Sequence, residues 1–200
     1  MQFNTLVSTI DDSLPASPFA RPHGSLLIMV GLPGAGKSSI VEQMAAWCDF
    51  VVIQTDGIRK QLDNSPAYSM DEMASVYDIC YALVARRLRA GQRVIFDASN
   101  YLQARRQRAM DLATLEGSAM AMCRVQASQT ETYQRLMARE QAKGGTSDAG
   151  WAVYQWMVEN QEPLTVPHLI IDSSNAPIEQ SARRLYEFWM EHEQSEPFSS

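Results

Sequence analysis

The sequence predicts a three-layer α/β domain built on a parallel sheet. Short uninterrupted apolar runs alternate with longer segments of helical period, and a glycine-rich loop joins the first run to the first helical segment. Continuous apolar runs suit strands buried on both faces of a parallel sheet. Strands alternating with helices imply right-handed crossovers that cover both faces.

The strand candidates are residues 26–30, 50–53, 93–96, 119–125 and 169–171. Helical patterns occupy 37–47, 57–63, 70–90, 102–116, 129–143, 148–160 and 177–192. The segment 70–90 is the best marked. Ser69 and Glu72 fit a capping box, and Met73, Val76, Tyr77, Cys80 and Val84 recur on one face. Residues 1–24, rich in Ser and Pro, read as a loose lead-in, partly docked through Phe3, Leu6 and Phe19. The main domain is expected over 25–192, with a frayed tail over 193–200.

Composition narrows the class. Of 200 residues, 46% are hydrophobic and 20% charged, enough for one domain with a sizeable core. A net charge of -6 argues against a broad nucleic-acid-binding coat, though not against a local basic site. Cys48, Cys80 and Cys123 lie far apart without a C-x-x-C pair and read as buried thiols in a reducing compartment. His23, His168 and His192 show no zinc-ligand spacing. The apolar runs fall short of the roughly 20 residues a membrane span needs. The first residues carry Asp11 and Asp12 where a signal peptide would be basic, so a cytoplasmic protein without membrane contact is expected.

Gly31-Leu32-Pro33-Gly34-Ala35-Gly36-Lys37-Ser38 matches G-x-x-x-x-G-K-[ST] in full, followed by Ser39 and a helical pattern. Glycines let the backbone curl so that successive N–H groups face phosphate oxygens. In this pattern Lys37 reaches the terminal phosphates, the Ser38 hydroxyl ligates Mg²⁺, and the following helix points its positive end at the same anion. The strand before the loop and the helix after it are the context the motif requires.

Two acids follow strand candidates. Thr55-Asp56-Gly57-Ile58-Arg59 comes just after the second, where parallel strands deliver side chains to the ligand crevice. Asp56 there suits either a proton acceptor for an attacking hydroxyl or a helix N-cap, with Arg59 holding substrate or the transferring phosphate. The third strand ends in Phe96-Asp97-Ala98-Ser99-Asn100, as a Mg²⁺-binding Walker B acid would. Asn100 suits a cap of the next helix or, failing that, a contact to substrate. Arg86, Arg87, Arg89 and Arg93 read as a solvated group at a helix end. Arg105, Arg106 and Arg108 oppose the dipole of the helix they begin, which makes them candidates for an acceptor pocket.

Taken with Arg135-x-x-x-Arg139, these motifs make the chain similar to the polynucleotide kinase and zeta-toxin-like P-loop kinases, and to bacterial stand-alone members labelled "AAA family ATPase". The segment Ser147-Asp148-Ala149-x-Trp151-x-Val153-Tyr154 resembles their lid and post-lid helix. The resemblance spans roughly residues 25–190. It implies an adenylate-kinase-like P-loop NTPase fold with a five-stranded sheet in 2-3-1-4-5 order, ATP and Mg²⁺ as cofactors, and Asp56 as base. It also implies a helical lid near 135–150 carrying Arg135 and Arg139, and an adenine-wrapping segment Asp172-Ser173-Ser174-Asn175-Ala176-Pro177. Gly144-Gly145 after a helical pattern suits a stop and hinge, and Lys143 suits either the phosphate site or the helix C-terminus. The i, i+4 spacing of the two arginines places both on one helix face, which suits a clamp or a solvated basic face.

The function expected is ATP-dependent transfer of a phosphoryl group to a hydroxyl of a small molecule or a nucleic-acid 5′ end. The alternatives are an ATP-hydrolysing regulatory switch and a toxin-type sugar-nucleotide kinase. Neither the acceptor nor the oligomeric state is legible.

Overall fold

The computed structural model describes residues 3–15, 20–62, 70–142 and 150–194. Five parallel strands form one sheet: β1 (Ser25–Val30), β2 (Val51–Gln54), β3 (Arg93–Asp97), β4 (Ala119–Gln126) and β5 (Leu169–Asp172). Their order is β2-β3-β1-β4-β5. This is the α/β P-loop NTPase fold. Every residue of β1 is buried, as its unbroken Ser-Leu-Leu-Ile-Met-Val sequence requires of a central strand covered on both faces. The register sets Met29 of β1 beside Asp97 of β3, and Gln54 of β2 beside Asp97 from the other side. Asp97 and Gln54 therefore finish level at the carboxyl edge of the sheet.

Eight helices surround it among the described residues: α1 (Phe3–Ser13), α2 (Lys37–Met44), α3 (Thr55–Leu62), α4 (Met70–Arg89), α5 (Gln103–Leu115), α6 (Gln129–Ala142), α7 (Trp151–Asn160) and α8 (Ile178–Gln194). One sheet face packs Leu26, Ile28, Phe96 and Met122 against Ile79, Leu83 and Ala109 of α4 and α5. The other packs Leu27, Met29, Ile95 and Cys123 against Ile40 and Met44 of α2 and Leu185 and Trp189 of α8. On that side the Trp189 indole N–H donates to Ser25 Oγ at 2.8 Å, both groups being buried. Cys80 and Cys123 are buried free thiols and Cys48 is half-buried.

The lead-in differs from expectation. Its first part is a helix, α1, with Val7 and Ile10 buried against α4 and Phe3 left largely exposed. Phe3, Leu6, Val7 and Ile10 fall at i, i+3, i+4 and i+7, a stripe obscured in the sequence by intervening Ser, Thr and Asn. Phe19 lies outside the described residues. Of the arginines near the end of α4, Arg86 and Arg89 are exposed as expected while Arg87 and Arg93 are half-buried, and all four are paired. Asp11 of α1 bonds Arg86 and Arg87, Glu116 takes Arg89, and Glu193 takes Arg93 and Arg21. Partners lay 27 to 100 residues away, where one sequence offers no pairing signal.

Asn100 is also not a cap. The N-cap of α5 is Leu102, and Asn100 is buried at φ 47° with Nδ2 donating to the Met29 carbonyl at 2.8 Å. Asn tolerates this left-handed backbone better than most residues. The Ser69 half of the expected capping box lies outside the described residues.

Trp189→Phe removes a buried hydrogen bond and leaves a void. We expect it to lower stability by about 1–3 kcal/mol, read as a lower midpoint in urea with an unchanged slope.

Candidate functional site

The loop from Gly31 to Gly36 leaves β1 and enters α2, whose first three residues are Lys37, Ser38 and Ser39. Their N–H groups lie in the turn that has no intrahelical acceptors. Gly36 sits at φ 93°, a left-handed conformation that turns the chain into the helix. Gly31 is required by proximity, since a Cβ there would lie 2.3 Å from the Val125 carbonyl oxygen. The Lys37 ammonium folds back onto its own loop, donating to the carbonyls of Gly31 at 2.7 Å and Leu32 at 3.4 Å.

Beside it, Ser38 Oγ donates to Asp97 Oδ2 at 3.0 Å. Gln54 Nε2 donates to the same carboxylate oxygen at 3.1 Å and to Ser38 Oγ at 3.2 Å. The hydroxyl and carboxylate are thus held together by an amide from the neighbouring strand. Burial raises the Asp97 carboxyl above its usual range, against the opposing pull of Lys37 and the Ser38 hydrogen bond. Burial likewise lowers the Lys37 ammonium, with Asp97 and Asp56 acting in the opposite direction and Arg139 adding to the lowering. Two oxygen donors, one of them a carboxylate, suit a hard divalent cation that takes its remaining ligands from water and phosphate. Among the described residues no cluster of three His, Cys, Asp or Glu side chains offers an all-protein metal cage.

Asp56 and Arg59 sit on α3, which begins at Thr55 rather than the expected 57. Asp56 is accordingly inside the first helical turn and not at an N-cap. Gly57 had suggested a later start, but strand β2 runs directly into the helix. Arg59 Nη1 bonds Asp56 Oδ1 at 2.9 Å, and its Nε lies 3.1 Å from Glu72 Oε1 of α4. The arginine therefore orients the acid and ties α3 to α4.

Arg135 and Arg139 lie on α6 with different surroundings. Arg135 Nη1 donates to the Gly34 carbonyl at 3.2 Å and to Ser173 Oγ at 2.8 Å, and Nη2 donates to the Ser173 carbonyl at 3.1 Å. Ser173 Oγ in turn donates to the Ala35 carbonyl at 2.7 Å. This joins the phosphate loop to the segment after β5, where Asp172 turns back to accept from Ser174 and Asn175. Arg139 instead lines the cavity over Lys37. Lys143, Gly144 and Gly145, with Ser147, Asp148 and Ala149, lie outside the described residues; the helix expected from 148 is described from Trp151.

One cavity of about 470 Å³ gathers most of these groups. Pro33, Gly34, Gly36, Lys37 and Ser38 form one end, with Gln54, Asp56, Arg59, Asp97 and Arg139 around it. Gln54, Tyr77 and Trp156 of this wall were missed from sequence. Gln54 alone carried a usable signal, as the last residue of a strand whose end faces the crevice. Of the three early α5 arginines, Arg105 reaches the cavity. Arg106 donates to the carbonyls of Asn100, Tyr101, Glu162 and Pro163, and Arg108 pairs with Asp78 at 2.7 Å.

The model of one family, described as an AAA domain, matches residues 26–164, well over half of the chain. The chain belongs to this AAA domain family. An uncharacterized protein of Mycobacterium tuberculosis is 27% identical over 176 residues, covering 82% of this chain and 34% of the relative. The chain thus spans about a third of the length of the curated relatives it matches. Among solved structures, the Mycobacterium tuberculosis APS kinase CysC in complex with AMPPNP and APS superposes with a TM-score of 0.64 at 17% identity, covering 84% of this chain and 98% of that one. A gluconokinase from Sinorhizobium meliloti superposes with a TM-score of 0.61 at 19% identity, covering 87% and 96%. At such identities the likeness is one of fold.

A carboxyl raised by burial makes the folded state bind a proton that the unfolded state has released. Between the ordinary value of 3.8 and the raised one, this contribution to stability is lost as pH rises. The stability of the ligand-free Asp97→Asn variant minus that of the parent should therefore become more positive on raising the pH from about 4 to 7. Urea titrations at each pH measure it, and a flat difference would show that Asp97 is not desolvated.

Proposed function

We propose that the chain is an ATP-dependent kinase that transfers the terminal phosphoryl group of ATP to a hydroxyl of a small molecule or a nucleic-acid end. The observation that carries this reading is the shared cavity, in which the phosphate loop and the Asp56 carboxylate face the same space. A plain phosphate cradle has no use for that second, arginine-oriented acid. The AAA domain family and the kinase fold of the superposed structures support the reading, and the motif resemblance to polynucleotide and zeta-toxin-like kinases points the same way.

In this mechanism the N–H groups of Gly34, Gly36 and the first turn of α2 hold the phosphates. Lys37 leaves its loop carbonyls for the terminal phosphates. Ser38 and Asp97 would hold Mg²⁺, which supplies charge neutralisation on the phosphate oxygens. Gln54 keeps those two side chains aligned. Asp56, steadied by Arg59, takes the proton of the acceptor hydroxyl as the acceptor oxygen bonds to the terminal phosphorus and the bond from that phosphorus to the bridging oxygen breaks, releasing ADP. Arg139 adds positive charge above the transferring group. Arg135 positions the loop from behind, through Gly34 and Ser173. Positioning and charge do the work here, as expected for phosphoryl transfer.

An ADP-release assay with ATP and Mg²⁺, run alone and against 5′-hydroxyl RNA and DNA, nucleosides, nucleotides, sugar nucleotides and small alcohols, tests the reading. We expect acceptor-dependent release and labelled product, abolished by Lys37→Ala. Asp56→Asn should lower transfer by about 10²–10⁴-fold while leaving the affinity for a non-hydrolysable ATP analogue unchanged. Full transfer by that variant would remove Asp56 as the base. Arg139→Ala should lower kcat by at least about tenfold with little change in ATP affinity, whereas an equal loss of ground-state binding would place it on the nucleotide alone. Acceptor-independent release across the panel would favour an ATP-hydrolysing regulatory domain. The greater length of the matched relatives leaves room for a partner module in that case.

A further inference from the structure

The kinase reading leaves the acceptor unnamed, and the wall beyond Asp56 narrows it. That wall is built from Met73 and Tyr77 of α4, Arg105 of α5, and Val153, Trp156 and Met157 of α7. An open-chain polyol would need a fan of hydrogen-bonding side chains, because each buried hydroxyl left without a partner costs binding. Thioethers and an isopropyl group supply none, and the Tyr77 and Ser99 hydroxyls with one indole N–H are too few to serve every hydroxyl of a polyol.

Arg105 is the exception on this wall. It is half-buried, with its guanidinium 4.0 Å from the centroid of the Tyr77 ring and 5.3 Å from that of Tyr101. Stacking on rings fixes the plane of a guanidinium, and beyond the hydrogen bond that Arg105 shares with the Tyr77 hydroxyl its remaining N–H groups can take an anion. Among the described residues no carboxylate lies within ion-pair distance of it. Arg106 and Arg108, its neighbours on the helix, are committed elsewhere, to four carbonyls and to Asp78. A fixed cation without an anion, in a part-buried cavity, calls for a phosphate or carboxylate.

Trp156 lines the same cavity yet remains 49% exposed, its indole set edge-on to the Tyr101 ring at 5.8 Å. No residue of α7 is buried, although the helix carries two tryptophans, a tyrosine, two valines and a methionine. Large apolar side chains left partly wet around a cavity gain most from a flat apolar guest.

We infer that the acceptor carries a phosphate or carboxylate together with a planar ring, Arg105 taking the anion and Trp156 the ring. This rests on the kinase reading for the hydroxyl at Asp56, but the binding can be measured without catalysis. The full chain, saturated with a non-hydrolysable ATP analogue and Mg²⁺, is titrated calorimetrically with four probes. These are a nucleoside 3′-monophosphate, the same uncharged nucleoside, an aromatic hydroxy acid and an open-chain polyol phosphate.

At least one ring-bearing anion should bind tenfold or more tightly than both the nucleoside and the polyol phosphate. Arg105→Gln should abolish the advantage over the nucleoside, with Arg105→Lys restoring part of it. Trp156→Ala should abolish the advantage over the polyol phosphate. Unchanged affinity for the ATP analogue in each variant shows that the fold and phosphate loop are intact. The inference is overturned if neither ring-bearing anion binds, if charged and uncharged probes bind alike, or if the gap survives Arg105→Gln. Arg105-dependent binding without phosphoryl transfer would leave the inference standing and remove the kinase reading. Transfer to an acceptor whose binding ignores Arg105 would do the reverse.

Discussion

The ligand crevice depends on two desolvated opposite charges, Lys37 and Asp97, held at the carboxyl edge of the sheet. Burial disfavours the charged form of each, and each is partly rescued by the other. Neither would stay there without the strands beneath. Met29, Asp97 and Gln54 lie level because β1, β3 and β2 pair in parallel register, and that register follows from a central strand apolar on both faces. The hydrophobic core thus sets the position of a polar site that would not assemble by itself. Loop carbonyls satisfy the ammonium, while a hydroxyl and an amide satisfy the carboxylate.

Around this pair the helices divide the labour. Helix α2 supplies N–H groups, α3 an acid braced by Arg59, and α6 two arginines with distinct surroundings. Glu72 braces Arg59 from α4, so the acid-bearing helix is fixed to the longest helix among the described residues, itself braced from outside by Asp11 of α1.

How legible was this in the sequence? The strands and the phosphate loop were legible because both rest on local patterns, unbroken apolar runs and a fixed spacing of glycines, whereas the strand order came only with the family resemblance that the motifs carry. Asp97 was legible as a strand-ending acid. The reading weakened wherever a residue's role depended on a distant partner. Arg87 and Arg93 looked solvated because Asp11 and Glu193 lie 76 and 100 residues away. Asn100 looked like a cap because its contact with the Met29 carbonyl is tertiary. Helix α1 was hidden by a polar face, and the start of α3 by a glycine that the strand-to-helix junction overrides. The acceptor wall was the least legible part, since Met73, Tyr77 and Trp156 are ordinary core or surface types until the fold gathers them.

The bonds of Arg135 have a mechanical consequence. Three hydrogen bonds fasten this side chain to the carbonyl of Gly34 in the glycine-rich loop and to Ser173 in the segment after β5. Arg139, a turn further along the same helix, has no comparable anchor among the described residues. Any swing of α6 therefore has its fulcrum at Arg135, and Arg139 moves as the short arm of a lever. The leverage comes from the i, i+4 spacing. A small rotation about the anchored arginine would carry Arg139 away from Lys37 without opening the loop beneath.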